Sequence, residues 1–191
     1  MVLPVADSRF FSSQVQISNS IRRFWVDMIR LFRLYITRTL LNLGTPHIKD
    51  SISMRLNRAV DELQVLLLQY YGEDIANQVH ADFLEFIYHL QKMIEAYASR
   101  DENAIVKQRN TLFLLANKYA QSFALMNNYY DKNTIQELYY AFISSVENQV
   151  VSIMNEDYER DLDEYEKFMD VGLRLADEFA YGMLRQFIAP E

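Results

Sequence analysis

Only four glycines and three prolines punctuate 191 residues, and that scarcity decides the fold class before anything else is read. No Gly or Pro lies between Asn133 and Gly172. A chain so poor in breakers and so well supplied with Leu, Ile, Glu, Arg and Gln is helical. Half of its residues are hydrophobic and 24% are charged, which is a folding composition and not a disordered one. The length fits one ordinary domain or a single extended bundle.

Apolar residues recur at steps of three and four from about Ser20 onward. The first predicted helix runs from Ser20 to Leu43 with Ile21, Trp25, Met28, Phe32, Tyr35, Thr39 and Leu43 on one face. Residues 1–19, with Pro4 and a Ser/Asn cluster, read as a loose arm or a short extra turn. "LGTPH" ends the first helix, and the second opens at Asp50 or Ser51 as N-cap. Gly72 stops the second helix, and Glu73 and Asp74 begin the third with acids suited to a helix start. Asp101 caps the fourth, and Asn133 with Gln136 suggests a capping-box variant for the fifth. A single helix from there to Gly172 would be abnormally long, so a break is placed near Asn155–Asp157. The last helix then carries Tyr158, Leu162, Tyr165, Met169, Gly172, Ala176, Phe179, Met183 and Phe187 on its inner face. The expectation is an all-α, up-and-down bundle of about five to six helices over residues 20–188, with a ferritin-like or four-helix-bundle-like core.

The stretch "FWVDMIRLFRLYITRTL", Phe24–Leu40, tests this reading. Its Asp27, Arg30, Arg33 and Arg38 each cost roughly 2.5–3.5 kcal/mol near the centre of a membrane span, so it does not cross a bilayer. Aromatics among arginines suit a membrane surface, yet the same spacing serves a core-facing stripe. Every other predicted helix has such a stripe, so the aromatics are assigned to the core. The N-terminal sequence has neither the basic segment nor the apolar run of a signal peptide. Absence of cysteine removes disulfides, thiolate nucleophiles and Cys-based metal sites, and is compatible with the cytoplasm. A net charge of −7 argues against nucleic-acid binding.

Charge is unevenly placed. Ser20–Arg58 holds eight Lys/Arg against two Asp/Glu, whereas Glu147–Asp170 holds nine Asp/Glu against two Lys/Arg. One reading packs the first and last helices together; the other makes the basic strip a docking site for phosphate or an acidic partner. Glu85 and His89, at i and i+4, could share a metal ion. No Glu-x-x-His stands anywhere, so a di-iron centre is not expected, and the two are read as a solvent-side pair. Asp157, Asp161 and Glu164 are read as a hydrated acidic face. Gly172 and Gly182 are read as points of close helix packing rather than a phosphate loop.

Several segments together resemble a known pattern. They are Trp25 and Arg33; Arg55, Leu56 and Arg58; "YYGEDIANQ" from Tyr70; Glu85 and Ile87; "DYERDLDEYE" from Asp157; "LAD" at Leu175–Asp177; and "RQF" ending at Phe187. In this order they resemble a family of uncharacterised helical-bundle proteins of bacilli and related bacteria, over roughly residues 20 to 188. That pattern reads W-x-x-H-V-x-W-T-R, then Y-Y-G-E-E-x-G-N-Q, then a late D-Y/W-x-x-D-I-x-x-Y-D run. Where it has inward His or Asn, this chain has Met28, Ala59, Phe86, Ala116, Phe142 and Val171. The resemblance therefore implies a bacterial helical bundle whose polar centre has been replaced by hydrocarbon, and no His-based activity carries over.

The functional expectation is a soluble, cytoplasmic binding or structural module without catalytic chemistry, metal or cofactor. Its partner is a protein, a small molecule or a second copy of the chain. Arg33, Arg58, Glu62, Glu85 and Asp161 are the candidate binding residues, expected as ion pairs at the edge of the interior. The alternatives are a metal–carboxylate bundle enzyme using Glu62, Glu85, Asp157 and Asp161, and a peripheral membrane module using Trp25 and the first helix's arginines.

Overall fold

The computed structural model describes residues 8–188. Six helices follow one another: α1 (Ser8–Leu40), α2 (Pro46–Tyr71), α3 (Glu73–Ser99), α4 (Glu102–Met126), α5 (Lys132–Met154) and α6 (Tyr158–Phe187). Each packs on its chain neighbours, and α1 against α6 closes the ring. Helices α1, α3 and α5 also touch one another across the centre. Helix α2 therefore covers the seam between α1 and α3, α4 that between α3 and α5, and α6 that between α5 and α1. The up-and-down bundle expected from the sequence is what the chain forms, at the upper end of the expected helix count.

Boundaries differ from the sequence reading in three places. Helix α1 starts at Ser8, so residues 8–19, expected as a loose arm or a short extra turn, form its first turns, while residues 1–7 lie outside the described ones. Ile17, on the same face as Ile21 and Phe24, is fully buried and gives those turns a reason to be helical. Helix α1 also ends at Leu40, and α2 begins at Pro46, not at Asp50 or Ser51. A proline in the first turn costs nothing, because its missing N–H would have no helical partner there. Helix α5 is capped by Asp131, whose side chain accepts from the Thr134 amide at 2.7 Å, and not by Asn133. The other caps agree with the sequence. Asp101 accepts from the Ala104 amide at 3.0 Å, and Asp157 caps α6 after a break at Asn155 and Glu156. Gly72 alone separates α2 from α3, at φ 80°, a conformation that side chains resist.

The stripes of α1 to α5 meet in one interior, except that Leu43, expected on the face of α1, lies past its end and is exposed. Trp25, Phe32, Phe86, Phe142 and Phe168 are all essentially inaccessible. Of the six positions where the resembling family is polar, Met28, Ala59, Phe86, Ala116 and Phe142 are buried in the core, and Val171 is half-buried against it. The inner face of α6 is where the reading needs correction. Tyr158 and Leu162 are exposed, and Asp161, Glu164 and Phe168 point inward instead. Phe168 stacks 4.6 Å from Phe142 and sets the rotation of the helix. Gly172 then lets α1 approach, since a Cβ there would collide with Ile29. A Cβ at Gly182 would likewise collide with the Tyr130 ring, which is held by its hydroxyl donating to the Phe179 carbonyl at 3.0 Å. Both glycines thus serve close packing, as the sequence suggested.

Phe142→Ala should lower unfolding free energy by about 3–5 kcal/mol in urea titrations, because the surrounding rings cannot collapse into the space. Leu114→Ala, at a residue 68% exposed, should stay within about 0.5 kcal/mol of the parent.

Candidate functional site

Arg33 and Asp161 are brought together. The guanidinium, on α1, grips the carboxylate on α6 through both nitrogens; the Nη2–Oδ2 distance is 2.6 Å. Gln149 of α5, fully buried, accepts from Arg33 Nη1 at 3.3 Å, and the Tyr165 ring lies 5.3 Å from the guanidinium carbon. The side chains are 20% and 5% exposed, so this is an ion pair at the interior's edge, as expected. The hydrated acidic face expected of Asp157, Asp161 and Glu164 is overturned for two of the three. Only Asp157 is exposed, as the cap of α6. Glu164 is buried and accepts from Lys167 Nζ at 2.8 Å and Asn148 Nδ2 at 3.0 Å. Burial alone would raise its pKa, but the Lys167 and Asn148 donors outweigh it and hold the carboxyl below the ordinary value. Arg33 is what admits a carboxylate to the inner face of α6; hydrophobic patterning has no way to express that exchange.

Two further clusters tie the helices. Arg109 of α4 holds Glu147 of α5, with Nε at 2.9 and 3.2 Å from the two oxygens. Tyr97 of α3 donates its hydroxyl to Glu147 and accepts from Arg109 Nη2 at 2.9 Å. Burial, then the Glu147 carboxylate, pushes the Tyr97 phenol up to about 12. On the other side of α3, Lys118 bridges Asp82 and Glu85 at 3.1 and 3.4 Å, and the Tyr119 hydroxyl donates to Glu85 at 3.1 Å. Glu85 is thus engaged with α4 and does not pair with His89, whose Nδ1 meets Gln108 at 2.7 Å. His80 lies 2.8 Å from Asp61, and His47 is exposed. Among the described residues no three His, Asp or Glu side chains are grouped so as to hold a metal ion. Glu62, Glu85, Asp157 and Asp161 are accordingly dispersed over three separate surroundings.

Arg58 and Glu62 sit elsewhere, and the expectation of an interior ion pair fails for them. They form an i,i+4 pair on α2, 3.2 Å apart and 65% and 49% exposed. They line an open cleft of about 540 Å³ between α1 and α2, with Arg23, Asp27, Arg30 and Arg55. Ala59, small and at the cleft floor, leaves the room. A smaller depression of about 200 Å³ continues it along the same seam and shares Arg23, Asp27, Ala59 and Glu62. Asp27 lies 3.8 Å from Arg23 and 3.5 Å from Arg30, and Glu62 lies 3.9 Å from Arg23. These separations exceed or only reach hydrogen-bond range. No carboxylate among the described residues pairs with Arg55. The basic bias of the first two helices hinted at this cleft; the residues that define it could be chosen only once α1 and α2 were docked. Compared with protein-family models, curated proteins and solved structures, the chain matches none.

Breaking the buried pair by Arg33→Ala should cost about 3–5 kcal/mol, because Asp161 is left charged and unpaired. Arg58→Ala or Glu62→Ala should change stability by no more than about 0.5 kcal/mol; thermal melts of the three variants separate the two cases. Stability should also depend on pH at both ends. Glu164, depressed in the folded state, contributes fully above the ordinary carboxylate value of 4.5 and loses that contribution as pH falls through its lower folded value. Tyr97, raised in the folded state, contributes fully below 10 and loses that contribution as pH rises toward about 12. Urea midpoints of the Tyr97→Phe and parent proteins between pH 9 and pH 12 should converge if Tyr97 carries the alkaline loss.

Proposed function

We propose that the chain is a non-catalytic, cytoplasmic binding module whose recognition surface is the α1–α2 face. The observation that carries this reading is the contrast between interior and cleft. Inside, aromatic rings fill the centre, and the buried charges of Asp82, Asp161 and Glu164 are each met by a cation from the same chain. Removing either member of such a pair would leave a buried charge unmet, so these acids serve the fold. At the α1–α2 seam, four arginines converge on an open cleft and meet only two carboxylates. Of the binding residues expected from the sequence, Arg58 and Glu62 belong to this surface, whereas Arg33, Glu85 and Asp161 hold the bundle together. Among the described residues no helix is long and apolar enough to cross a membrane, which supports a module that works from solution. The same reading treats the chain as a relative of the bacillus-type bundle family it resembles, one whose inward polar positions have become Met28, Ala59, Phe86, Ala116 and Phe142 and so have left recognition to the surface.

Two-dimensional amide NMR with a library of small anionic, cationic and neutral compounds tests the reading. Binders should shift amides of residues 23–34 and 55–62. Shifts centred on Phe86 and Phe142, or a stoichiometric metal in protein prepared without chelator, would replace it with an interior-site reading.

A further inference from the structure

Four guanidiniums carry five N–H donors each, and in the α1–α2 cleft this capacity is almost unused. Arg58 Nε to Glu62 is the one side-chain hydrogen bond that Arg23, Arg30, Arg55 and Arg58 make among the described residues. The contrast with Arg33 and Arg109, which are committed to a carboxylate through two nitrogens, is chemical and not a matter of arginine count. Arg23 and Arg30 are 74% and 65% exposed, and ion pairs so exposed hold their partners weakly. Within the cleft, positive charge exceeds negative by two, since Asp27 and Glu62 are the only acids that line it.

We propose that this cleft binds a soluble ligand carrying two or more linked phosphate groups, recognised through its phosphates alone. The proposal rests on the reading of the α1–α2 face as the recognition surface and specifies what that surface takes. Guanidinium is the side chain whose planar fork matches phosphate oxygens in pairs. Arg23 and Arg30 are seven residues apart on α1, or ~10 Å along the axis. Asp27 already lies between them, 3.8 Å from Arg23 and 3.5 Å from Arg30, so a single orthophosphate there meets that carboxylate, whereas linked phosphates can extend past it to Arg55 and Arg58. The cleft's volume of about 540 Å³ falls within the range of small-molecule sites. No aromatic residue lines it, so it offers no platform on which a base could stack. A nucleotide would therefore bind through its phosphates and gain nothing from its base. A nucleic acid or an anionic bilayer is disfavoured by the net charge of −7.

Isothermal titration calorimetry with inorganic tripolyphosphate at low salt tests the proposal. One ligand should bind per chain, with affinity falling as salt is raised and orthophosphate binding at least tenfold more weakly. ATP should bind within about threefold of tripolyphosphate. Arg55→Ala with Arg58→Ala should weaken tripolyphosphate by roughly a hundredfold, a tenfold loss for each arginine, with thermal midpoints unchanged because both side chains are exposed. Ala59→Leu, which fills the floor without changing any charge, should weaken it as well. The proposal is overturned by any of four results: no heat from tripolyphosphate at millimolar concentration, binding indifferent to the arginine pair, a base-dependent gain of tenfold or more with ATP, or tighter binding to phosphatidylserine vesicles in flotation than to tripolyphosphate. If the NMR library shifts residues 23–34 and 55–62 with ligands that lack phosphate, the phosphate proposal falls and the recognition surface stands. If no ligand shifts them, the surface itself is wrong.

Discussion

Trp25 is the point on which four helices converge. Phe24, Phe83, Tyr139, Phe142 and Phe179 surround its ring at centroid distances from 5.4 to 6.3 Å, most of them edge to face. These rings come from α1, α3, α5 and α6, so the packing sets the rotation of each helix about its own axis. Once those rotations are set, the residues flanking each stripe have no choice of neighbour. Arg33 must face Asp161, and with α4 fixed by Tyr119 on Tyr139 and Phe123 on Phe179, Arg109 must face Glu147 and Lys118 must face Asp82. The polar clusters follow from the aromatic centre and do not compete with it. They also tie the outer helices to the inner ones.

The charge asymmetry between the chain's first and last helices acquires two meanings from this geometry. Arg22 and Arg33, eleven residues apart on α1, lie on the side turned to α6 and pair with Asp177 and Asp161. Arg23 and Arg30 lie on the side turned to α2, where no comparable acidic stripe exists. The same basic strip is therefore neutralised along one edge and open along the other. The docking of α1 against α6 and the availability of α1 to a ligand are not rival accounts of one feature, since different arginines serve each.

Much of this was legible in the sequence, and the part that was not has a physical cause. The scarcity of breakers and the 3.6-residue period located the helical stretches, because burial of a continuous apolar face is a local pattern, while only a length limit and the Asn155–Asp157 caps suggested dividing the last one in two. The period failed on the first half of α6, where Asp161 and Glu164 replace apolar residues inward while Tyr158 and Leu162 remain outside. A carboxylate can take an inward position only when a distant cation meets it, and Arg33 stands 128 residues away. Gln149, Ser145 and Ser152, buried along α5 beside its stripe, were missed as well. They are one residue off the apolar positions Val146, Val150 and Ile153, a flank that reads as boundary until α1 and α6 cover it. The cleft lay further beyond reach, since Arg23, Arg30, Arg55 and Arg58 come from two helices whose relative register no local pattern states.

The cleft carries an electrostatic cost that its surroundings relieve only in part. Arg55 and Arg58 stand at i and i+3 on α2, where like charges destabilise a helix by a few tenths of a kcal/mol, and Arg23 approaches the same space from α1. Glu62 lies between Arg58 and Arg23, and Asp27 lies between Arg23 and Arg30. Two acids placed among four cations keep the guanidiniums gathered without consuming their donors, since three of the four contacts are longer than 3.4 Å. An anion entering the cleft meets donors already assembled at low energetic expense, and each proton donor it engages removes repulsion that the free protein sustains. Elsewhere in the bundle the chain places a cation directly against each buried acid; at the α1–α2 seam the arginines outnumber the acids by two, and the proposal of a binding surface rests on that excess.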